Sequence, residues 1–315
     1  MLACGSDDLR TEEGLRIAAL YGWDPEDTAC QLLQRGENGT FLVRTSGTRY
    51  ILRRYRRERY REQEILAELA WMCALRDHIN VPNVIANTEG DLATRLVGPD
   101  GERLYAVFEF IEGESPESSS SEDYRRLGEL MKALHRGADA IAQSMNEDWA
   151  GWNRPVYDVQ RAVREPLRHL LQFEALSEVN KTRCVSVARE LERRFRTLQP
   201  GRPFVHADLH FGNIVVREPN WYCLDFDECG YGHRAFDLGV VRLHLRNRSD
   251  NFDCWAHFEH GYGDMPSRGD LATGTAARIF YMAGKIPMRQ DIDSLRHNPD
   301  ARIGKYLTWI EDELM

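Results

Sequence analysis

Four side chains in one stretch of this sequence suit a single kind of chemistry. The segment F-V-H-A-D-L-H-F-G-N-I-V-V sets His206, Asp208 and Asn213 in an H-x-D-x-x-x-x-N pattern, and Asp225 follows at the end of a strand-like run over residues 221–224. Phosphoryl transfer needs these residue types in this order. Its transition state is loose and highly charged, so a protein contributes mainly positioning and charge compensation. One carboxylate, Asp208, would orient an attacking hydroxyl and accept its proton. The amide of Asn213 and the second carboxylate, Asp225, are hard oxygen donors of the kind that suit Mg²⁺, a cation that keeps some waters and binds phosphate oxygens beside few protein ligands. Alone, the first pattern is weak; the D-F-D at 225–227, reached through a strand–turn–strand, makes it specific.

Elements must hold those residues. Residues 9–34 carry apolar positions at helical spacing (Leu15, Ala18, Ala19, Tyr21) before a turn at 23–25. Two strand-like runs, 40–45 and 49–55, joined by Ser46–Gly47, predict a β-hairpin. Residues 58–77 read as a helix with Ile65, Leu66, Leu69, Met72 and Leu75 facing inward. Strand-like segments follow, ending in 104–111. From Ser118 the pattern is mostly helical, with Ser120 or Ser121 as a cap and Tyr124, Leu127, Met131 and Leu134 on one face. The polar island 204–237 interrupts it. A β-rich first third and a helical remainder predict an α+β fold, a small sheet lobe over residues 1–110 and a larger helical lobe over 111–315 that carries the hairpin.

Composition narrows the field. The chain has 315 residues, a formal charge of −9 and 42% apolar residues, enough for a substantial core and poorly matched to a nucleic-acid binder acting through phosphate neutralisation. No run is long and apolar enough to span a membrane, and the N-terminus lacks a signal-like apolar stretch. The seven cysteines show no zinc spacing, which fits free thiols in a reducing cytoplasm.

The segment holding His206, Asp208, Asn213 and Asp225 closely resembles the catalytic hairpin of the aminoglycoside phosphotransferases, choline kinases and type II homoserine kinases, relatives of the protein kinases; the nearest-looking branch contains stress response kinase A. The resemblance spans roughly residues 30–245. It implies a bilobal protein-kinase-like fold, ATP as co-substrate and Mg²⁺ as cofactor. Asp208 becomes the catalytic base, Asn213 and Asp225 the magnesium ligands, and Asp237 in A-F-D-L-G a buttress of the catalytic loop. His206 orders that loop, and His210 has either a structural role or a contact with the γ-phosphate.

On the nucleotide side, R-G-E-N-G-T-F-L-V at 35–43 takes the place of a phosphate-covering loop through Gly36, Asn38 and Gly39. The strand after it would bear the phosphate-binding residue. Much of the family has lysine there, but this chain has only four lysines and none before Lys132. Period-2 alternation puts Ile51 and Arg53 on one face, so Ile51 would roof the adenine and Arg53 reach the phosphates, with Arg54 or an exposed pair as the alternative. Glu64 and Glu68 lie one turn apart on the following helix, and the spacing to Trp71 favours Glu64 as the partner of Arg53. Backbone groups from Glu109 to Ile111 in V-F-E-F-I-E-G match the hinge that reads adenine.

The expected activity is transfer of the ATP γ-phosphoryl to a hydroxyl of a small molecule, an amino alcohol, an aminoglycoside or similar. Only eleven residues, 226–236, separate Asp225 from Asp237, and they contain no Ser or Thr. That leaves no room for a regulated activation segment. Asp227, Glu228 and Asp264 are candidates to receive an amine. Aromatic residues at 252–262 and 276–285 either wall the acceptor site or belong to the core. A Ser/Thr protein kinase of the stress response type and a nucleotide-binding pseudokinase are the alternatives.

Overall fold

A computed structural model describes residues 12–35, 38–57, 59–98, 101–116, 120–198 and 203–315. In chain order its elements are α1 (Glu12–Leu20), β1 (Ala29–Arg35), β2 (Gly39–Thr45), β3 (Thr48–Arg54), α2 (Glu62–Leu75), β4 (Val84–Ile85), β5 (Thr94–Gly98), β6 (Gly101–Glu109), α3 (Ser121–Ser144), β7 (Val156–Tyr157), α4 (Glu165–Gln172), α5 (Glu178–Phe195), β8 (Phe204–Val205), β9 (Ile214–Arg217), β10 (Asn220–Cys223), β11 (Gly230–Gly232), α6 (Arg234–Leu245), α7 (Asn251–Tyr262), α8 (Arg268–Lys285), α9 (Asp293–Arg296) and α10 (Pro299–Leu314).

Contacts divide the chain into two compact units. One comprises Met1–Glu114, Ser144–Arg154 and Val215–Asp227; the other comprises Ser115–Gln143, Pro155–Ile214 and Glu228–Met315. This differs from a single cut after residue 110. The reason is local pairing: β9 and β10 form their own two-stranded sheet, Val216 bridges Glu114, and Tyr222 bridges Asn80, so that hairpin packs within the first unit.

The first unit is built on an antiparallel sheet of order β1-β2-β3-β6-β4, with β5 also paired to β6. Its central hairpin forms where alternation predicts it. Ser46 and Gly47 both have positive φ (45° and 74°), the hand of turn that matches the twist of the flanking strands. β1 was not expected: helical spacing ends at Leu20, and residues 29–35 pair with β2 from Ala29↔Arg44 to Arg35↔Gly39. The run A-C-Q-L-L-Q-R has no clean alternation, so its strand character comes from its neighbour. Ile17, Tyr21, Cys30, Phe41, Val43, Leu52, Tyr105 and Val107 close the core on one sheet face, each apolar side chain of this size contributing about 1.5–3 kcal/mol on burial.

The second unit is helical. Tyr124, Leu127, Met131 and Leu134 are all buried along α3, as their spacing predicts, and Ser120 caps the helix by accepting from the Asp123 amide at 3.2 Å. Its main core includes Leu170, Val187, Leu191, Phe236, Phe280, Ile303 and Leu307. α6 and α8 approach closely because each presents a glycine to the other. A Cβ on Gly274 would lie 2.4 Å from the Ala235 backbone, and one on Gly239 would lie 2.8 Å from the Cα of Thr275. Side chains of α8 are thereby brought against the segment that precedes α6.

Candidate active site

In the second unit the polar island is fixed from below. Asp237, on the first turn of α6 and fully buried, accepts from the His206 amide through Oδ2 at 2.8 Å and from the Ala207 amide through Oδ1 at 2.5 Å. His135 of α3 meets the same carboxylate at 2.9 Å, and its other ring nitrogen lies 3.0 Å from the Tyr262 hydroxyl. Burial works to raise the Asp237 pKa, but the His135 contact and the amides outweigh it and hold the carboxyl below its ordinary value. Ala207 has φ +65°, a conformation that costs a non-glycine residue about 1–2 kcal/mol. The paired amide bonds to Asp237 hold the chain in it. His206 is itself fully buried, and its Nδ1 accepts from the Asp208 amide at 3.3 Å. The buttress expected of Asp237 and the ordering role of His206 are thus visible in geometry.

Asp208 sits on this braced loop. Its Oδ1 accepts from Arg278 Nη2 of α8 at 2.6 Å. Asn213 Nδ2 donates to the Asp208 carbonyl at 2.9 Å and to Oδ2 at 3.4 Å. With the amide nitrogen so engaged, Oδ1 is the Asn213 atom left for a cation. Sequence reasoning missed Arg278, although a signal existed: it is the single charged residue between Asp270 and Lys285 in an otherwise small and apolar helix. The residue is 1% exposed, and its Nε and Nη1 have no hydrogen-bond partner among the described residues.

His210 Nδ1 accepts from the Gly212 amide at 3.0 Å, and its ring stacks on His244 of α6 at 4.3 Å. Burial, with help from His210, lowers the His244 pKa to about 4. Glu228 is buried and already saturated: Lys285 Nζ donates at 2.7 Å, the Tyr281 hydroxyl at 2.9 Å and the Tyr157 hydroxyl at 3.2 Å. Burial opposes the Lys285 charge, yet Glu228 keeps its pKa above the ordinary value. Glu228 therefore has no open position for an amine. Asp264 is 95% exposed beside Arg136. Of the C-terminal aromatics, Tyr281 is buried against Glu228, Tyr262 against His135, and Trp255 stacks on Phe258.

In the first unit, strand alternation sorts the two arginines as expected. Leu52 enters the core, which turns Ile51 and Arg53 to the opposite face, with Ile51 half-buried and paired to Leu42 and Phe108. Arg53 Nη1 donates to Glu68 at 2.8 Å and Nη2 to Asp225 Oδ1 at 2.8 Å. Burial alone would lower the Arg53 pKa; Asp225 and Glu68 more than offset it and raise it well above the ordinary value. Arg54 instead lies over the Phe41 ring at 5.2 Å.

The expected partner Glu64 is corrected to Glu68. Glu64 is the third residue of α2, and its carboxylate accepts from the Arg61 amide at 2.8 Å, closing the helix N-terminus as half of a capping box. Glu68 shares the buried stripe of Ile65, Leu69 and Met72, is 1% exposed, and also accepts from the Tyr55 hydroxyl at 3.3 Å. Asp225 has φ +59° and a 41% exposed side chain, with Oδ1 on Arg53. Asp227 is buried, accepting from Asn38 Nδ2 at 3.2 Å and from the Tyr60 hydroxyl at 3.3 Å.

Asn38 also accepts from the Arg56 amide at 3.0 Å, so its side chain ties the start of β2 to its surroundings. Gly39 opens β2 opposite Arg54. Gly36 lies outside the described residues. Glu109, at the end of β6, takes the Asn83 side-chain amide at 2.6 Å, and Ile111 is buried.

No three His, Cys, Asp or Glu side chains converge as a metal cage among the described residues. The amide oxygen of Asn213 in the second unit and the carboxylate of Asp225 in the first are each hard donors of the kind that Mg²⁺ takes beside water and phosphate oxygens.

The two units define an α+β chain of the kinase-like class, with a small antiparallel sheet before a largely helical portion. The chain belongs to the phosphotransferase enzyme family, whose model matches residues 28–271. It is 31% identical over 220 residues to an uncharacterized protein of Deinococcus radiodurans, covering 67% of this chain and 60% of that one. The chain spans 58–65% of the length of the curated relatives it matches. Its fold is shared with a microcompartment-associated aminopropanol kinase (TM-score 0.80, 22% identity, 95% of this chain and 96% of that one). It is shared too with the amicoumacin kinase hAmiN, solved in complex with AMP-PNP, Ca²⁺ and Ami (TM-score 0.77, 22% identity, 96% and 94%).

Proposed function

We propose that this chain is an ATP- and magnesium-dependent phosphotransferase that moves the γ-phosphoryl group to a hydroxyl of a small molecule. The observation that carries the reading is Asp208, a carboxylate on a loop pinned through Asp237 and gripped by Arg278. Such a group can orient an alcohol without moving itself.

The acceptor oxygen attacks the γ-phosphorus, and a new O–P bond forms as the bond to the β–γ bridging oxygen breaks. The hydroxyl proton passes to Asp208, and ADP leaves with the electron pair. Asn213 and Asp225 would hold Mg²⁺, which would compensate the phosphate charge. Arg53, held in place by Glu68, supplies a fixed positive charge to the phosphates, a task that arginine can perform through two donors. Gly36, Asn38 and Gly39 would cover the phosphates, while Ile51 and the backbone from Glu109 to Ile111 would receive adenine. Support for nucleotide use comes from the AMP-PNP complex of the amicoumacin kinase. Support for a small acceptor comes from the small-molecule kinases that share the fold and from the eleven-residue path between Asp225 and Asp237.

The test is ATP consumption over a panel of small alcohols and denatured proteins with phosphatase-treated enzyme. Transfer to a small alcohol is expected; labelling of protein Ser/Thr alone would overturn the acceptor class.

A further inference from the structure

Beside the catalytic loop, within the same unit, lies a cavity of about 250 Å³ walled by Tyr124 and Leu127 of α3, His210 and Phe211 of the loop, and Val241 and His244 of α6. Apart from the Arg248 guanidinium, the side chains that line it are planar or aliphatic. The rings of His210 and His244 stack at an interplanar angle of 21°, and Tyr124 meets Phe211 edge to face at 4.9 Å. Leu127 and Val241 are buried to 1% exposure. The cavity borders the proposed chemistry, since His210 Nε2 is 3.9 Å from Asp208 Oδ2. Its volume is below the usual range of about 300–1,000 Å³ for ligand pockets, which suits one ring and little more.

Resting on the phosphotransferase reading, we propose that this cavity receives an uncharged aromatic ring of the acceptor, which carries its reactive hydroxyl on a short arm toward Asp208. No carboxylate lines the cavity among the described residues. Aromatic walls can hold ammonium groups through cation–π attraction, but here that position is taken. The Arg248 guanidinium lies over the Tyr124 ring at 5.7 Å, fixed by Asp250 through Nε at 2.8 Å and Nη2 at 2.7 Å. At the other side, Arg278 already occupies Asp208 Oδ1. An incoming ammonium would meet two guanidiniums whose carboxylate partners, Asp250 and Asp208, are already engaged, while Glu228 is committed to Lys285 and Asp264 stands in solvent. The ring faces of an uncharged acceptor gain contact with both histidines and leave no charge unpaired.

The experiment titrates the full-length protein, without nucleotide, with benzyl alcohol, benzylamine and choline. It follows the imidazole proton resonances of His210 and His244, assigned through His210→Gln and His244→Gln. Benzyl alcohol is expected to shift both resonances saturably with a dissociation constant of about 1 mM, as suits so few atoms, and the two amines to bind about tenfold more weakly or not at all. Gly212→Ala is the second arm. Its Cβ would lie 2.7 Å from His210 Cε1 and displace the ring from its stack. It should weaken benzyl alcohol by about tenfold while the thermal midpoint reports an intact fold. Equal or tighter binding of either amine, no shift from benzyl alcohol, or full affinity in folded Gly212→Ala would each overturn the proposal. Binding is read without phosphate transfer, so this failure is separate from failure of the phosphotransferase reading, which would leave every alcohol unphosphorylated and nucleotide binding independent of magnesium.

Discussion

Arg278 holds Asp208 from a helix that follows it by 70 residues: its Nη2 donates to Asp208 Oδ1 at 2.6 Å from a residue that is 1% exposed. Asp208→Asn should lower kcat by about 10²–10⁴ while leaving Mg–ATP affinity within a few-fold, since the proton acceptor is lost and the nucleotide contacts stay. Arg278→Lys should keep more of kcat than Arg278→Met, with KM for ATP similar in both. Steady-state kinetics alongside nucleotide titration measure this, and near wild-type kcat in Asp208→Asn would assign the base elsewhere.

Arg53→Ala should raise KM for ATP and lower kcat, whereas Arg54→Ala should change little, because Arg53 faces Asp225 and Arg54 packs on Phe41. Asp225→Ala should abolish the magnesium dependence of nucleotide binding, measured by calorimetry with and without the metal. Equal kinetic effects from the two arginine variants would show that the strand face is misassigned.

The two helix acids should separate in stability. Glu68→Ala leaves Arg53 without its buried partner and should cost about 3–5 kcal/mol. Glu64→Ala removes a capping interaction and should cost about 0.3–1.5 kcal/mol. Urea unfolding of both variants checks the order, and a larger loss for Glu64→Ala would contradict the pairing.

Removing Asp237 should loosen the loop that bears Asp208. In Asp237→Ala the amides of His206 and Ala207 lose their acceptor, at about 1–3 kcal/mol for each buried group left unpaired. Faster hydrogen exchange at those two amides, together with a lower thermal midpoint, is the expected signature.

Acid should weaken the fold through His244. An unfolded histidine titrates near pH 6.5, while burial and His210 hold His244 at about 4. Between those values the unfolded chain binds the extra proton and the folded one does not. The stability that depends on neutral His244 is therefore complete above about pH 6.5 and is lost as pH falls toward about 4. Urea midpoints from about pH 7 to about pH 4.5 should fall less steeply in His244→Phe than in the parent chain; identical slopes would remove His244 from the acid response.

The sequence by itself determined the candidate site residues and most of the elements that carry them. Asp208, Asn213, Asp225 and Asp237 lie within one short stretch, so residue types, spacing and the resemblance they carry were enough to single them out as candidates. The β2–β3 hairpin was legible because alternation and Ser46–Gly47 agree, and the same alternation set Arg53 apart from Arg54. Tertiary structure decided what depends on partners distant in sequence. β1 became a strand because β2 offered it a ladder. Glu68 displaced Glu64 because the N-terminus of α2 used Glu64 to satisfy its own amides, leaving the buried stripe to Glu68. Arg278 reached Asp208 because Gly239 and Gly274 let α6 and α8 pack backbone to backbone. Helical spacing reveals which residues share a face, but a contact across 70 residues depends on how closely two helices can approach, and that is fixed only when the side chains between them pack.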